Sequence, residues 1–237
     1  MANKKKNSKK DTTSSSKFTF WMIGIIAAFI LGFIFLGNHS INKDETKTKA
    51  SIDYSNQPFL GKKSAPVSII EFGDYKCPNC KNFSENVIPL IQKDLIDTGK
   101  AKLYFMNDAF INEDSFRSAK FAEAVFDELG NETFWKFHDL LYKSQPEEQK
   151  YEKMDIYDEK YLTNLLKEVA SDEEVNKVVE NFRAGKSDSA FNKDMDYAKK
   201  LNVTGTPTLF VDGKMFTGQT MDDLIKMVDD AAKKKGK

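Results

Sequence analysis

The chain has two cysteines, and they stand together in Cys77-Pro78-Asn79-Cys80. Two thiols at this spacing can close a disulfide within one turn of chain and open it again. The flanking segments decide whether that chemistry is used. Residues 66–72, Pro-Val-Ser-Ile-Ile-Glu-Phe, read as a short buried strand, and Phe83, Val87, Ile88, Ile91 and Leu95 recur downstream at helical spacing. A dithiol between a strand end and a helix start is the setting of a redox-active C-x-x-C. The free N–H groups and positive dipole end of that helix favour an anion, so they favour Cys77 as thiolate, the attacking species. Cys80 falls inside the first turn, beneath Cys77, where it can resolve a mixed disulfide.

Other uses of the pair are weaker. A closed zinc site needs two more ligands. No third cysteine exists, and the two histidines, His39 and His138, lie far apart, in a polar linker and in a helical segment. A structural staple across so short a loop constrains the unfolded chain little. Redox use is the preferred reading, with zinc binding and an inert bridge as the alternatives. No metal site is expected. His138, among Phe137, Leu140 and Leu141, reads as structural.

The elements that must position the dithiol follow from the rest of the chain. Its 237 residues allow one sizeable domain or a domain carrying an insertion. The formal net charge is zero but unevenly placed: Lys4, Lys5, Lys6, Lys9, Lys10 and Lys17 face Asp11 alone in residues 1–17. Residues 18–37, FTFWMIGIIAAFILGFIFLG, are uncharged and long enough for a hydrocarbon core of about 30 Å. The preceding lysines place residues 1–17 in the cytoplasm as a basic tail and everything after the span outside. A cleaved signal has a shorter apolar region and a small-x-small site. Asn38-His39-Ser40-Ile41-Asn42 follows here, so an uncleaved signal anchor is expected, with residues 38–57 as a polar linker. No basic stripe with interleaved aromatics appears beyond the span, which argues against nucleic acid as a partner.

The globular part starts near residues 52–58, with Asp53, Tyr54 and Phe59-Leu60-Gly61 as a first short strand and turn. Residues 101–106 read as a second core strand. Helices are expected over 116–129, ended by Gly130, and over 132–145, 158–170 and 187–201. Ser171-Asp172-Glu173-Glu174 reads as the cap and acidic first turn of another. Residues 208–211 and 214–217 form a hairpin across Asp212-Gly213, which suits a type I′ turn, and Thr220 caps a last helix.

In this order the pieces resemble the DsbA-like thiol–disulfide oxidoreductases of the thioredoxin superfamily. Four stretches carry the resemblance: Glu71-Phe72-Gly73-Asp74-Tyr75-Lys76 leading into Cys-Pro-Asn-Cys, the helical block at about 113–186, Phe134-Trp135-Lys136-Phe137-His138-Asp139-Leu140-Leu141, and Val203-Thr204-Gly205-Thr206-Pro207-Thr208. With the basic tail and span, the chain looks most like the membrane-anchored BdbD-type proteins of Gram-positive bacteria. The resemblance implies an α/β, thioredoxin-like fold at 58–112 and 187–237 with an inserted all-helical domain at 113–186, preceded by a single N-terminal transmembrane helix. It implies an extracytoplasmic enzyme that donates the Cys77–Cys80 disulfide to exported proteins. It implies Glu71 as a buried acid beneath the dithiol, and a cis Pro207 loop whose Thr206 backbone pairs with an extended substrate. It implies no dissociable redox cofactor, and a DsbB-like, quinone-linked membrane reoxidase as partner. The dipeptide Pro78-Asn79 departs from the Pro-His of DsbA. Asn79 can donate a hydrogen bond but carries no charge, so the dithiol chemistry carries over and the oxidising strength does not. A reductase or isomerase on the same fold is the nearest alternative, and a non-catalytic chaperone or metal-binding module the more distant one.

Overall fold

The computed structural model describes residues 52–235. The expected span at 18–37 lies outside the described residues, as do the tail and most of the linker. Among the described residues no helix is long and apolar enough to cross a membrane. The described end of the linker packs onto the domain: the Asp53 N–H donates to the Tyr197 hydroxyl at 2.9 Å, and buried Gln57 donates to Asp194 at 2.7 Å.

Strand β1 (Phe59–Leu60) is followed by β2 (Val67–Gly73), in which every residue is buried. A strand buried on both faces belongs at the centre of a sheet. Helix α1 (Pro78–Asn86), helix α2 (Ile88–Ile91) and a π turn (Gln92–Ile96) then carry the chain to β3 (Ala101–Asn107), parallel to β2. Helix α3 (Glu113–Lys143) leads through a 3₁₀ turn (Gln149–Lys153) to α4 (Glu159–Leu166), α5 (Asp172–Ala184) and α6 (Asp188–Lys200). Strands β4 (Thr208–Val211) and β5 (Lys214–Met215) precede the last helix, α7 (Met221–Lys235). The sheet order is β1-β3-β2-β4-β5.

Alternation along β2 divides the core. Val67 and Ile69 pack with Leu95, Leu103, Leu224 and Val228, whereas Ile70 and Phe72 pack with Met106, Ala198 and Phe210 on the other face. Glu71 and Gly73 share the face of Ile69, the one that α1 and α7 cover. A third apolar cluster joins the helical insertion to that face, because Phe121, Phe137, Leu166 and Val178 pack in one body with Tyr75, Cys77, Cys80 and Phe105.

Local chemistry sets the element ends. Gly130 has φ 76° and ψ −172° and breaks α3 into the two helices expected there. Ser171 and Glu174 form a reciprocal capping box at the start of α5. Asp212 (φ 47°) and Gly213 (φ 79°) make the two left-handed positions of the β4–β5 turn. The expected helix over 158–170 is shorter, ending at Leu166, because the chain must turn before Ser171 to begin α5.

One polar knot ties the insertion to the dithiol loop. Asp114, fully buried, accepts from the Ile156 and Tyr157 N–H groups at 2.7 and 2.9 Å and from Arg117 at 2.8 Å. It also pairs with Lys76 at 3.2 Å. Lys76, 1% exposed, donates to the Tyr151 and Met154 carbonyls and lies 4.4 Å from the Tyr157 ring centroid. Asp114→Ala would leave a buried ammonium without its counter-charge. It is expected to destabilise the fold by about 3–5 kcal/mol in urea unfolding, whereas Lys76→Met, which leaves Asp114 with Arg117 and two N–H donors, costs less.

Candidate active site

Strand β2 ends at Gly73, and a tight loop turns the chain into α1. Asp74 fixes the loop: its carboxylate accepts from the Lys76, Phe110 and Ile111 N–H groups at 2.8, 3.0 and 3.3 Å. Cys77 is the N-cap of α1 in extended conformation, and Pro78 takes the first helical position, where no N–H is needed. The Cys77 carbonyl accepts the first helical bonds from Cys80 and Lys81, each at 3.1 Å. Cys77 is 6% exposed and Cys80 is fully buried.

The two thiols are electrostatically unlike. The Cys80 thiol, then the Thr206 hydroxyl and the N–H groups of Cys80 and Asn79, hold the Cys77 thiol down to about 6 against the effect of its burial. Cys80 moves the other way: burial, its bond to Cys77 and the negative charges of Glu71 and Cys77 push it well above the usual thiol range. The more accessible sulfur is therefore the one that ionises near neutral pH, as the helix-start argument requires.

Two further expected residues meet the dithiol from distant parts of the chain. The Cys77 thiol donates to the Thr206 carbonyl at 3.3 Å, and the Thr206–Pro207 peptide bond is cis. Glu71 is fully buried, and burial, reinforced by the Cys77 charge, raises its carboxyl to about 8. Both of its oxygens lack a hydrogen-bond partner in the protein. Such a carboxyl is protonated at neutral pH and can give or take a proton there.

His138 lies in the same region. It is fully buried, its Nδ1 is 3.1 Å from the Tyr75 hydroxyl, and burial lowers its imidazole to about 3, so it stays neutral. Among the described residues no group of three or more His, Cys, Asp or Glu side chains is placed to hold a metal ion. A polar cleft of about 290 Å³ runs beside Pro78, between α1 and residues 145–152.

A family model described as Thioredoxin matches residues 53–230. The chain belongs to the thioredoxin family. Within that family, disulfide bond formation protein D of Bacillus subtilis is 38% identical over 173 residues, 72% of this chain and 74% of the relative. The "Probable disulfide bond formation protein D" of Bacillus anthracis is 34% identical over 194 residues, 82% of this chain and 87% of the relative. The crystal structure of oxidised BdbD from Bacillus subtilis superposes with a TM-score of 0.69 at 34% identity, covering 76% of this chain and 95% of that one. This thioredoxin-family chain is a DsbA-like thiol–disulfide oxidoreductase, with the family's α/β fold and helical insertion.

The sequence gives no site role to three side chains that lie by the dithiol: Tyr75 and Tyr142, packed with both cysteines, and Lys76, which lines the cleft beside Pro78. Tyr142 follows His138 by one helical turn and Trp135 by two. That polar-tipped aromatic stripe was the available signal. Nothing local marks Lys76 as buried, because its partner Asp114 lies in another element.

Proposed function

We propose that this protein donates its Cys77–Cys80 disulfide to exported proteins outside the cell, held at the membrane by residues 18–37. The observation that supports this most directly is the pairing of an acidified rim thiol with a fully buried one above a protonated carboxyl. A substrate thiolate attacks the Cys77 sulfur, the Cys77–Cys80 bond breaks, and Cys80 leaves with the electron pair and takes a proton from Glu71. A second substrate thiolate then attacks the substrate sulfur of the mixed disulfide. Cys77 leaves as a thiolate, and the substrate keeps the new disulfide. A leaving thiol held near 6 makes this direction favourable. Pro78 and Asn79, the first two residues of α1, flank the reacting sulfur, and the Thr206-Pro207 backbone presents an edge to an extended substrate segment. The reduced dithiol returns its electrons to a DsbB-like, quinone-linked membrane protein.

Because the chain has no other cysteine, whole-cell thiol labelling tests direction and location together. Intact cells are treated with a membrane-impermeant maleimide, with and without an impermeant phosphine reductant. The protein is expected to take label only after reduction. Label without reduction would point to a reductase or isomerase, and label only after permeabilisation would place the domain inside.

A further inference from the structure

Cys80 ionises in a pocket without exposure. A charge formed there needs a hydrogen-bond donor, since an unpaired buried anion is strongly disfavoured. The Cys80 thiol and the helix N–H groups serve the outer sulfur. The inner one has the Asp74 N–H and faces Glu71, neither of whose oxygens has a hydrogen-bond partner in the protein.

Tyr142 reaches the same pocket from the insertion. It is fully buried, and its hydroxyl has no hydrogen-bond partner in the protein. Its oxygen lies 3.0 Å from the position a Cβ would take on Gly73. Gly73 shares its face of β2 with Glu71, and the lack of a side chain there leaves room for the Phe105 ring, 2.5 Å from that position, and for the Tyr142 hydroxyl. The ring is held by Tyr75 at 5.0 Å and His138 at 4.9 Å between centroids, in one cluster with Cys77 and Cys80. The neighbouring tyrosine is different, because the Tyr75 hydroxyl is already bonded to His138.

We infer that Tyr142 is a positioning residue for the inner thiol: its hydroxyl donates a hydrogen bond to the negative charge shared by Cys80 and Glu71 whenever Cys80 ionises. This rests on the proposed role of Cys80 as the resolving thiol. In that step the Cys80 thiolate attacks the Cys77 sulfur, the Cys77–Cys80 bond forms, and the bond to the substrate sulfur breaks. The substrate leaves as a thiolate, and the Cys80 proton has returned to the Glu71 carboxylate, which gave its own to Cys80 when the mixed disulfide formed. No outside oxidant or reductant enters. The titratable groups around the hydroxyl are Glu71 on β2, Asp74 and Tyr75 in the loop, Cys80 on α1, and His138 on α3 itself. Burial first, then the charges of Cys80 and Glu71, raise the Tyr142 phenol well above its usual range, so it remains a donor throughout.

The test uses the full chain carrying a glutathione mixed disulfide on Cys77, with glutathione release followed by rapid quench from pH 5 to 10. Tyr142→Phe is expected to move the midpoint of the pH profile up by about one unit. Nucleophilicity grows with pKa at a Brønsted slope of about 0.5, so the rate below the midpoint falls only about threefold. Tyr75→Phe, which removes a hydroxyl engaged elsewhere, is expected to leave the midpoint in place. In a Glu71→Gln background the effect of Tyr142→Phe should shrink. An unchanged profile in Tyr142→Phe overturns the inference, as does an equal shift in Tyr75→Phe. Failure of the underlying reading looks different: Cys80→Ser would then release glutathione as fast as the unaltered chain.

Discussion

Cys80→Ser is expected to leave this protein covalently attached to its substrates in cells, and Cys77→Ser is expected to abolish exchange without forming such complexes. The asymmetry follows from the geometry of the pair. Cys77, at the helix start and 6% exposed, is the sulfur a substrate can reach, and its acidified thiol makes it both attacker and leaving group. Cys80 is sealed inside and held protonated by burial. Its part is the intramolecular displacement that frees a stalled substrate. Intramolecular attack in a well-oriented pair is equivalent to molar or far higher concentrations of reagent. Against millimolar external thiol, loss of Cys80 should therefore lengthen the life of the mixed disulfide by at least about a thousandfold. Non-reducing electrophoresis with acid trapping reads this directly. Equal trapping by the two variants would reverse the assignment of the two thiols.

Much of the site was legible because its chemistry is local. The strand, the loop and the dithiol follow one another within residues 66–80, and the proline and the helix-start position act on the same four residues. The break at Gly130, the Ser171 capping box and the Asp212-Gly213 turn were readable for the same reason: each is decided within a few residues. What stayed hidden depends on contacts across the fold. Lys76 and Asp114 are 38 residues apart in sequence and each reads alone as a surface charge, yet the pair is buried and ties the dithiol loop to the insertion. Tyr142 reads as a core aromatic until its unpartnered hydroxyl is seen over Gly73, on the strand that carries Glu71. The expected 158–170 helix failed by a few residues because the next cap outweighed the apolar periodicity that continued through Val169.

Glu71→Gln is expected to make the fold more stable in alkali and the enzyme slower, and the two effects have one cause. The carboxyl titrates near 4.5 when exposed and at about 8 in the fold, mainly through burial. The folded state therefore holds this proton more tightly than the unfolded chain. The stabilising contribution is complete below pH 4.5, falls as pH rises, and is gone above about 8. At roughly 1.4 kcal/mol for each pH unit between those limits, the unaltered protein should lose about 3–5 kcal/mol relative to Glu71→Gln between pH 4.5 and pH 9. Cys77 works in the opposite direction in the reduced protein: its folded value is lowered, so its contribution is complete above pH 9 and lost as pH falls through about 6. Both proteins carry Cys77, so the difference between their urea-unfolding curves isolates Glu71. Repeating the comparison on the disulfide form removes the Cys77 charge and should leave the larger, burial-driven part of the loss. On the activity side, a glutamine cannot take the proton from Cys80. The Cys80 step should slow by about a hundredfold near neutral pH. Parallel unfolding curves at pH 5 and pH 9, or an unchanged Cys80 step in Glu71→Gln, would show that this buried acid is not the proton carrier of the site.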